Sequence, residues 1–511
     1  MAAVSSLGIG SGLDLNSLLS GLKTAEQAPL AAIQTKQTSY TTKLTAYGQL
    51  GSALSTLQTA AAALGKPELY TGVKASSSAT DVLTASAGTT ALNGTYALNV
   101  TQLSQAQSLA TTGVLSATDP IGSRTASSTV TIQFGTLFSD PTDGGTYPLA
   151  TPDAATGKYT GATFKANAVP AVAAQFAIAA GSTLTEIAKK INETADLGVT
   201  ASIVNDGGAA PNRLVLTSTK TGETSSMKIT VDGAADALSR LLSNDPTGAP
   251  ADQLQQTVTA QNTKLTVNGI AITSASSTVA GAIQDTTLSV SKIGTTTLSV
   301  KQDTDSVKSA VTAFVNAYNN LQSIAKKLTA FDASSKSGAV LLGDSTLRNI
   351  QVGIRSALTS VQAGDGGGSG LTMLSQIGVT FEKDGTLAID STTSQVANPI
   401  KLATVMSSNM SGVAKLFSGT GGVGGYGTQL SSLLTSYTSS TSGTLTAATK
   451  GINTTLDLLG KQYAATSERA EATVARYKAQ FTQLDVMISR MNQTSTYLTA
   501  QFEALNNSNN K

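Results

Sequence analysis

Residues 456–505, near the end of this chain, carry an apolar residue at every seventh position. A second apolar row, from Val474 to Phe502, lies four residues after the first and has the polar Ser495 as its exception. Two rows spaced in this way form one stripe along an α-helix, which in water is buried against another helix. The pattern therefore predicts a coiled coil. Its rows are Leu456, Tyr463, Ala470, Tyr477, Leu484, Met491, Leu498 and Leu505, and then Val474, Phe481, Ile488 and Phe502.

Residues 30–64 repeat the same period near the start of the chain and offer a partner helix. Gly65 in a left-handed conformation and Pro67 predict its end, and Pro29 suits its first turn. Asp14 is then expected to cap a separate short helix in front of it. The predicted N-terminal seam consists of Ile33, Tyr40, Tyr47, Leu54 and Ala61, flanked by Leu44, Leu50, Leu57 and Leu64.

Between these helices the apolar period changes from seven to two, which is typical of β-strands. The residues around Leu98 alternate in this way, and Asn268-Gly269 between two alternating runs predicts a hairpin turn. Thr183 and Glu186 form the capping-box pattern of a short helix. The predicted fold class is α+β, with a coiled-coil stalk formed by both termini and two nested β-rich head domains inserted between them.

The changes of period also predict four regions along the chain. Each of the first three is built from two separate segments, because the next region is inserted into it. The prediction assigns residues 1–45 with 440–511 to a terminal coiled-coil leg, 46–75 with 304–439 to a helical bundle with a hairpin, 76–125 with 255–303 to a β-rich head domain, and 126–254 to an inner β-rich head domain.

The composition of the 511 residues removes most catalytic chemistry. Without Cys or His, the chain cannot form a thiolate nucleophile, a Cys/His zinc site or a Ser-His-Asp triad. A net charge of +2 and 4% aromatic residues give no footprint for nucleic acid. No stretch reaches the roughly 18 apolar residues of a membrane helix, and no cleaved signal peptide is visible. We predict no catalytic, cofactor or metal site, no nucleic-acid binding and no membrane insertion.

The C-terminal seam has three possible partners at this stage. The first is the helix of residues 30–64 in the same chain, the second is a neighbouring subunit, and the third is a separate helical protein. A polar residue at a seam position weakens pairing locally, so Ser495 favours exchange between partners. The candidate interface residues are Val474, Tyr477, Phe481, Leu484, Ile488, Met491, Leu498 and Phe502 on the C-terminal helix, and Ile33, Tyr40, Leu44, Tyr47 and Leu54 on the N-terminal helix.

Several motifs, in the same order along nearly the whole chain, resemble the flagellar hook-associated protein 2 family, the caps of bacterial flagellar filaments. The segment 181–203 also resembles a short motif of flagellin head domains. The family motifs are the Gly-rich start Ser6–Asp14, the strand segment Asn93–Leu103, Val267-Asn-Gly-Ile270, Thr287–Val290, Phe314–Asn319, and the C-terminal segments 477–481 and 491–498.

This resemblance implies a secreted structural protein at the distal tip of the filament. Several copies would form a ring whose heads make a plate, and exported flagellin would fold and insert beneath it. The resemblance also implies export through the flagellar channel and an export chaperone that binds the C-terminal helix. We expect that chaperone on the exposed face between Val474 and Phe502.

Two other functions stay open from the sequence. The chain could be another axial component of the flagellum, such as a flagellin or a hook–filament junction protein, because those also pair their terminal helices. It could also be an adhesin whose inner head domain, residues 126–254, binds surface glycans. The segment 139–170, which is rich in Thr and Ala and predicted to be surface loop, permits this second function.

Overall fold

A computed structural model of the chain describes residues 14–121, 126–139, 150–153, 159, 161–168, 174–232, 236–248, 254–362, 370–390, 401–419 and 424–508. The Gly-rich start and most of the segment 139–170 lie outside these residues. The chain divides into two compact units. Unit 1 combines Met1–Tyr70 with Thr304–Lys511, and unit 2 is Thr71–Asp303. Because unit 2 interrupts unit 1 in the sequence, the predicted insertion is present, and the α+β class is confirmed.

The helices follow one another in chain order, and the two longest lie near the two ends of the chain. They are α1 (Leu15–Leu64), α2 (Glu68–Thr71), α3 (Leu184–Glu193), α4 (Ala237–Leu242), α5 (Thr304–Thr329), α6 (Ser345–Thr359), α7 (Leu402–Ser418), α8 (Tyr426–Thr438) and α9 (Thr444–Ser508).

Most of the strands belong to unit 2. In chain order they are β1 (Val73–Ser77), β2 (Leu83–Ala87), β3 (Gly94–Gln102), β4 (Ser108–Ala110), β5 (Ser128–Phe138), β6 (Thr163–Ala166), β7 (Ala174–Ile178), β8 (Val199–Asn205), β9 (Asn212–Ser218), β10 (Ser226–Val231), β11 (Gln255–Val258), β12 (Thr263–Val267), β13 (Ile270–Ser274), β14 (Thr278–Ile283), β15 (Thr286–Val290), β16 (Gly294–Gln302), β17 (Phe331–Asp332), β18 (Ser337–Gly338), β19 (Val379–Phe381) and β20 (Leu387–Ile389).

Unit 1 has one hydrophobic core, in which the second half of α1 packs with α5 to α8 and the start of α9. Each helix contributes an apolar stripe, as amphipathic helices do when they bury one face. The hairpin β19–β20 is held against α5 by Asn319, whose side chain exchanges two 2.8 Å hydrogen bonds with the main chain of Leu387. The hairpin predicted within the bundle is present, and Gly385 in its turn has a φ of 86°.

Helix α1 differs from the prediction at both ends. It runs without a break through Pro29, so the separate short helix after Asp14 does not exist. Pro29 is exposed, and the apolar seam continues on both sides of it, so the packing of the seam outweighs the hydrogen bond that proline removes. Gly65 is right-handed (φ −75°) and not left-handed. Its lack of a side chain serves packing instead, because a Cβ at Gly65 would lie 3.2 Å from the amide nitrogen of Thr428 in α8.

The outer part of unit 2 surrounds its own core with two antiparallel sheets. Their strand orders are β1-β16-β3-β12-β13 and β14-β15-β2. The predicted alternation holds, since Leu98 and Val100 of β3 are buried. The Asn268-Gly269 turn between β12 and β13 is also confirmed. Both residues have positive φ values, 49° and 85°, as a tight two-residue hairpin turn requires.

The inner part of unit 2 has a separate core between helix α3 and two further sheets, β11-β4-β9-β8 and β10-β5-β6, with β7 added to β5. The capping box of Thr183 and Glu186 is present at the start of α3. The structure differs from the predicted surface loop in one place. Residues Thr163–Ala166 form a strand on β5, so the segment 139–170 is not all loop.

The limits of the inner core are wider than the predicted segment 126–254. Strands β4 and β11 pair with each other, and β4 pairs with β9, so both lie in an inner sheet. Leu109 of β4 is buried in the inner core for this reason. The sequence boundary fell at a change of composition, whereas the strand pairing depends on partners about a hundred residues apart. The division of the chain into four domains otherwise stays a prediction.

Candidate functional site: the paired terminal helices

The two long helices of unit 1 meet where α9 begins. A Cβ placed on Gly51 of α1 would lie 3.0 Å from Cδ2 of Leu445, so the absence of a side chain at Gly51 makes room for this leucine. From this contact the buried and half-buried positions run toward the start of α1 and toward the end of α9. The helices are therefore antiparallel, and the first of the three possible partners of the seam, the N-terminal helix of the same chain, is present.

The predicted N-terminal seam residues divide into two groups. Leu54 and Tyr47 are fully buried in the bundle core, where α1 is surrounded by several helices. Ile33, nearer the start of α1, is also buried, at 7% exposed. Tyr40 and Leu44 are half-buried and pack against the edge of the core. The prediction did not separate these surroundings, because the heptad pattern is the same in both.

A charged contact fixes α1 to the start of α6. The Lys43 ammonium lies 2.8 Å from Oδ2 of Asp344, and the Tyr47 hydroxyl donates a 2.7 Å hydrogen bond to the same oxygen. Asp344 also caps α6 by accepting a hydrogen bond from the Leu347 amide. Burial alone would raise the pKa of Asp344, but these hydrogen bonds and the Lys43 charge lower it overall. The hydrogen bond to Asp344 raises the pKa of Lys43.

The predicted C-terminal interface residues also divide into two groups. Val474, Tyr477, Phe481 and Ile488 are half-buried. Four further residues of this helix face, three of them after Ile488, are exposed, and we call these four the exposed stripe. The exposed stripe consists of Leu484 (39% exposed), Met491 (64%), Leu498 (48%) and Phe502 (65%).

The position of α1 explains where the exposed stripe begins. Thirty-six residues separate Gly51 from Leu15, and the same number of residues leads from Leu445 to Phe481. Because both helices rise equally per residue, Leu15 lies at the level of Phe481. Residues of α9 after this level have no helix facing them among the residues that the structure describes.

Two buried contacts of α9 were not predicted. Ile452 and Leu459 are 6% and 8% exposed, and each lies in the seam nearer the bundle. Each lies four residues before a residue of the main heptad row, Leu456 or Tyr463, whereas the prediction used positions four residues after that row. A search on both sides of the row would have found them, because a heptad seam alternates steps of three and four.

The part of the chain that the structure describes contains no group of three or more acidic, His or Cys residues that could hold a metal ion. Within the same residues, no helix has the length and apolar character needed to span a membrane.

Three family models match the chain in order. The N-terminal model of flagellar hook-associated protein 2 matches residues 11–107, and its C-terminal model matches residues 260–493. The N-terminal match contains all of α1, and the C-terminal match contains α9 as far as residue 493. The flagellin hook IN motif matches residues 163–220, which lie in the inner part of unit 2.

Curated relatives match over the full length. Flagellar hook-associated protein 2 of Escherichia coli K12 is 39% identical over 100% of both chains. The protein of the same name from Salmonella typhimurium is 37% identical over 99% of this chain and 100% of its own. The crystal structure of the D1-D2-D3 domains of the flagellar cap protein FliD from Escherichia coli is similar at 34% identity, with a TM-score of 0.57 over 80% of this chain and 99% of that one. The chain therefore belongs to the flagellar hook-associated protein 2 family, the family of the flagellar cap proteins.

Proposed function

We propose that this structural protein caps the tip of the flagellar filament as a ring of several copies, and that flagellin is added to the filament beneath the ring. The cap and its place at the filament tip follow from the family. The ring of several copies and the addition of flagellin beneath it go beyond what membership of the family supplies. The observation that carries them is the exposed stripe on α9, which is apolar and exposed at the end of a helix that is otherwise a paired seam.

An exposed stripe of this kind costs free energy in water, so it indicates a surface that a partner covers. Its spacing is that of a helix-pairing seam, so the partner surface is an apolar helix face. In the filament, this face belongs to a neighbouring copy or to flagellin. Before export, an export chaperone covers the same residues. The interface residues predicted from Val474 to Phe502 thus form one surface that serves more than one partner in turn.

Unit 2 has two separate hydrophobic cores, which supports the two head domains that we propose. A structural cap needs a surface to close the growing end, and the heads would form this plate. The leg of residues 1–45 with 440–511, and the bundle of 46–75 with 304–439, would hold the plate on the filament. The alternatives are not favoured, since the relatives are hook-associated proteins 2 and not flagellins or adhesins.

A deletion strain tests the capping function. Cells without this gene should release flagellin monomers into the medium and carry few filaments, and the wild-type gene should restore the filaments. Immunogold labelling of the chain should mark filament tips only. Normal filaments in the deletion strain, or labelling along the whole filament, would contradict the proposal.

The role of the exposed stripe is tested in the same strain. Met491→Asp and Phe502→Asp should fail to restore filaments although both proteins fold. Gln493→Asp is the matched control, because Gln493 is exposed on the opposite face of the same helix turn. Full activity of both stripe variants would show that this face is not the working surface.

A further inference from the structure

The contact of Gly51 with Leu445 sets the pairing of the whole seam. Because the helices are antiparallel, each residue a given number of positions before Gly51 lies level with the residue the same number of positions after Leu445. This rule places Leu44 at the level of Ile452 and Ile33 at the level of Tyr463. At the seam positions, the pairs obtained in this way, such as Tyr40 with Leu456 and Leu22 with Val474, join two buried or half-buried residues. The agreement over more than thirty residues supports the register.

In α1, one of the two seam rows slips by one residue. The first row keeps a strict period of seven through Leu19, Glu26 and Ile33. In the second row, eight residues separate Leu22 from Leu30 instead of seven. The slip therefore lies at the level of Glu26.

In α9, one seam row slips at the matching level. Its first row keeps the period of seven through Tyr463, Ala470 and Tyr477. In the second row, fifteen residues separate Leu459 from Val474, one more than two heptads. By the register, Ala470 faces Glu26, so both helices slip in the same layer. At this layer two steps of four residues follow each other in both helices, 22–26–30 in α1 and 466–470–474 in α9. This is equivalent to inserting four residues into the heptad repeat, which locally unwinds a coiled coil.

The side chains of this layer also disfavour tight pairing of α1 with α9. Glu26 brings a carboxylate to a half-buried seam position, and the residue at its level is the small Ala470. Pro29 stands one turn away in α1 and cannot donate the main-chain hydrogen bond that a regular helix would give to the carbonyl of Ala25. Three independent features, namely the double slip, the charge and the proline, thus coincide in one layer.

We propose that this layer is a built-in break point of the leg. We define the upper leg as residues 33–51 with 445–463, and the lower leg as residues 15–25 with 471–481. The lower leg opens at the break point while the upper leg stays paired. Opening releases the seam residues Val474, Tyr477 and Phe481 from α1 and joins them to the exposed stripe as one continuous surface. This inference rests on the proposed function, because it supplies the surface that the partners take in turn.

Hydrogen exchange of the full chain tests the break point without reference to the flagellum. The amides of the lower leg should exchange at least about tenfold faster than those of the upper leg. The double variant Glu26→Leu with Pro29→Ala should slow the lower leg toward the upper-leg rates. Equal protection of both parts, or a double variant without effect, would overturn the inference and leave the capping function standing.

Disulfide locking tests whether opening is used, and a chain without Cys suits it. The variant Leu22→Cys with Val474→Cys closes the lower leg when oxidised, and Gln37→Cys with Leu459→Cys closes the upper leg as the matched control. The oxidised lower-leg variant should fail to cap filaments and regain capping on reduction, whereas the control should cap in both states. Capping by the oxidised lower-leg variant, with the disulfide verified by mass spectrometry, would overturn the use of opening. Loss of capping in the control as well would also count against it.

Discussion

The ammonium nitrogen of Lys43 lies 2.8 Å from the carboxylate of Asp344, three hundred residues later in the chain. This contact joins the middle of α1 to the cap of α6, with the Tyr47 hydroxyl on the same oxygen. It stands at the level where α1 leaves the bundle core and continues as one helix of a pair. The direction in which the paired helices leave the bundle thus depends in part on a polar contact, in addition to apolar packing.

Lys43→Met should lower the stability of unit 1. The change removes the charge that faces Asp344, whose side chain is only 6% exposed, and leaves that carboxylate with fewer donors. We expect a loss of about 1–2 kcal/mol, below the value for a fully buried pair because Lys43 is partly exposed. Lys36→Met is the matched control one heptad earlier on an exposed position and should change little. Thermal unfolding measures both, and equal stability of the two variants would contradict the role of the contact.

The same contact predicts a dependence on pH. The pKa of Asp344 is lowered on folding from its ordinary value of 3.8, so its contribution is present above about pH 4 and is lost as the pH falls through the folded pKa. The pKa of Lys43 is raised from 10.5, so its contribution is present below that pH and is lost as the pH rises through the folded pKa. Asp344→Asn should therefore cost stability at pH 7, and the difference from wild type should shrink below pH 4. Asn can still cap α6, so the loss reports on the charge, and a loss that did not depend on pH would contradict the role of the charge.

Substitutions along the α9 seam should lower the free energy of unfolding where the seam is buried and leave it almost unchanged where the seam is exposed. Leu459→Asp places a charge at a position that is 8% exposed, and should cost more than about 3 kcal/mol in denaturant unfolding. Met491→Asp changes a residue that is 64% exposed, and should leave the unfolding free energy within about 0.5 kcal/mol. Leu484→Asp and Ile488→Asp lie between these positions and should give intermediate losses. A large loss for Met491→Asp in the isolated chain would mean that the exposed stripe is already covered.

Two glycines in helices should respond to alanine in opposite directions. A Cβ at Gly427 would meet the main chain of Gly65 and Ala61 at less than 3 Å, so Gly427→Ala should force α1 and α8 apart at a cost of about 1–3 kcal/mol. Gly451 of α9 has no atom within 4 Å of its Cβ position. Gly451→Ala should therefore stabilise by up to about 1 kcal/mol, as alanine does inside helices. Thermal unfolding of both variants is the measurement, and stabilisation by Gly427→Ala would contradict the close approach.

The sequence alone determined the elements whose signals are local. The heptad rows predicted both long helices, the Asn268-Gly269 turn predicted the β12–β13 hairpin, and the Thr183 capping box predicted the start of α3. These signals are readable because a helix turn, a hairpin turn and a cap are each set by residues a few positions apart. The nested order of the chain also followed, since the apolar period changes from seven to two and back again.

Tertiary structure decided which parts of the same pattern are covered. One heptad repeat runs from Leu456 to Phe502, yet it packs against α1 only to about the level of Phe481 and is exposed beyond. Tertiary structure also decided that α1 continues through Pro29, because packing along the seam outweighs the lost hydrogen bond. It likewise decided that β4 and β11 join the inner sheet. Burial and strand pairing depend on partners that are distant in the chain, and the spacing of residues in one segment carries no information about them.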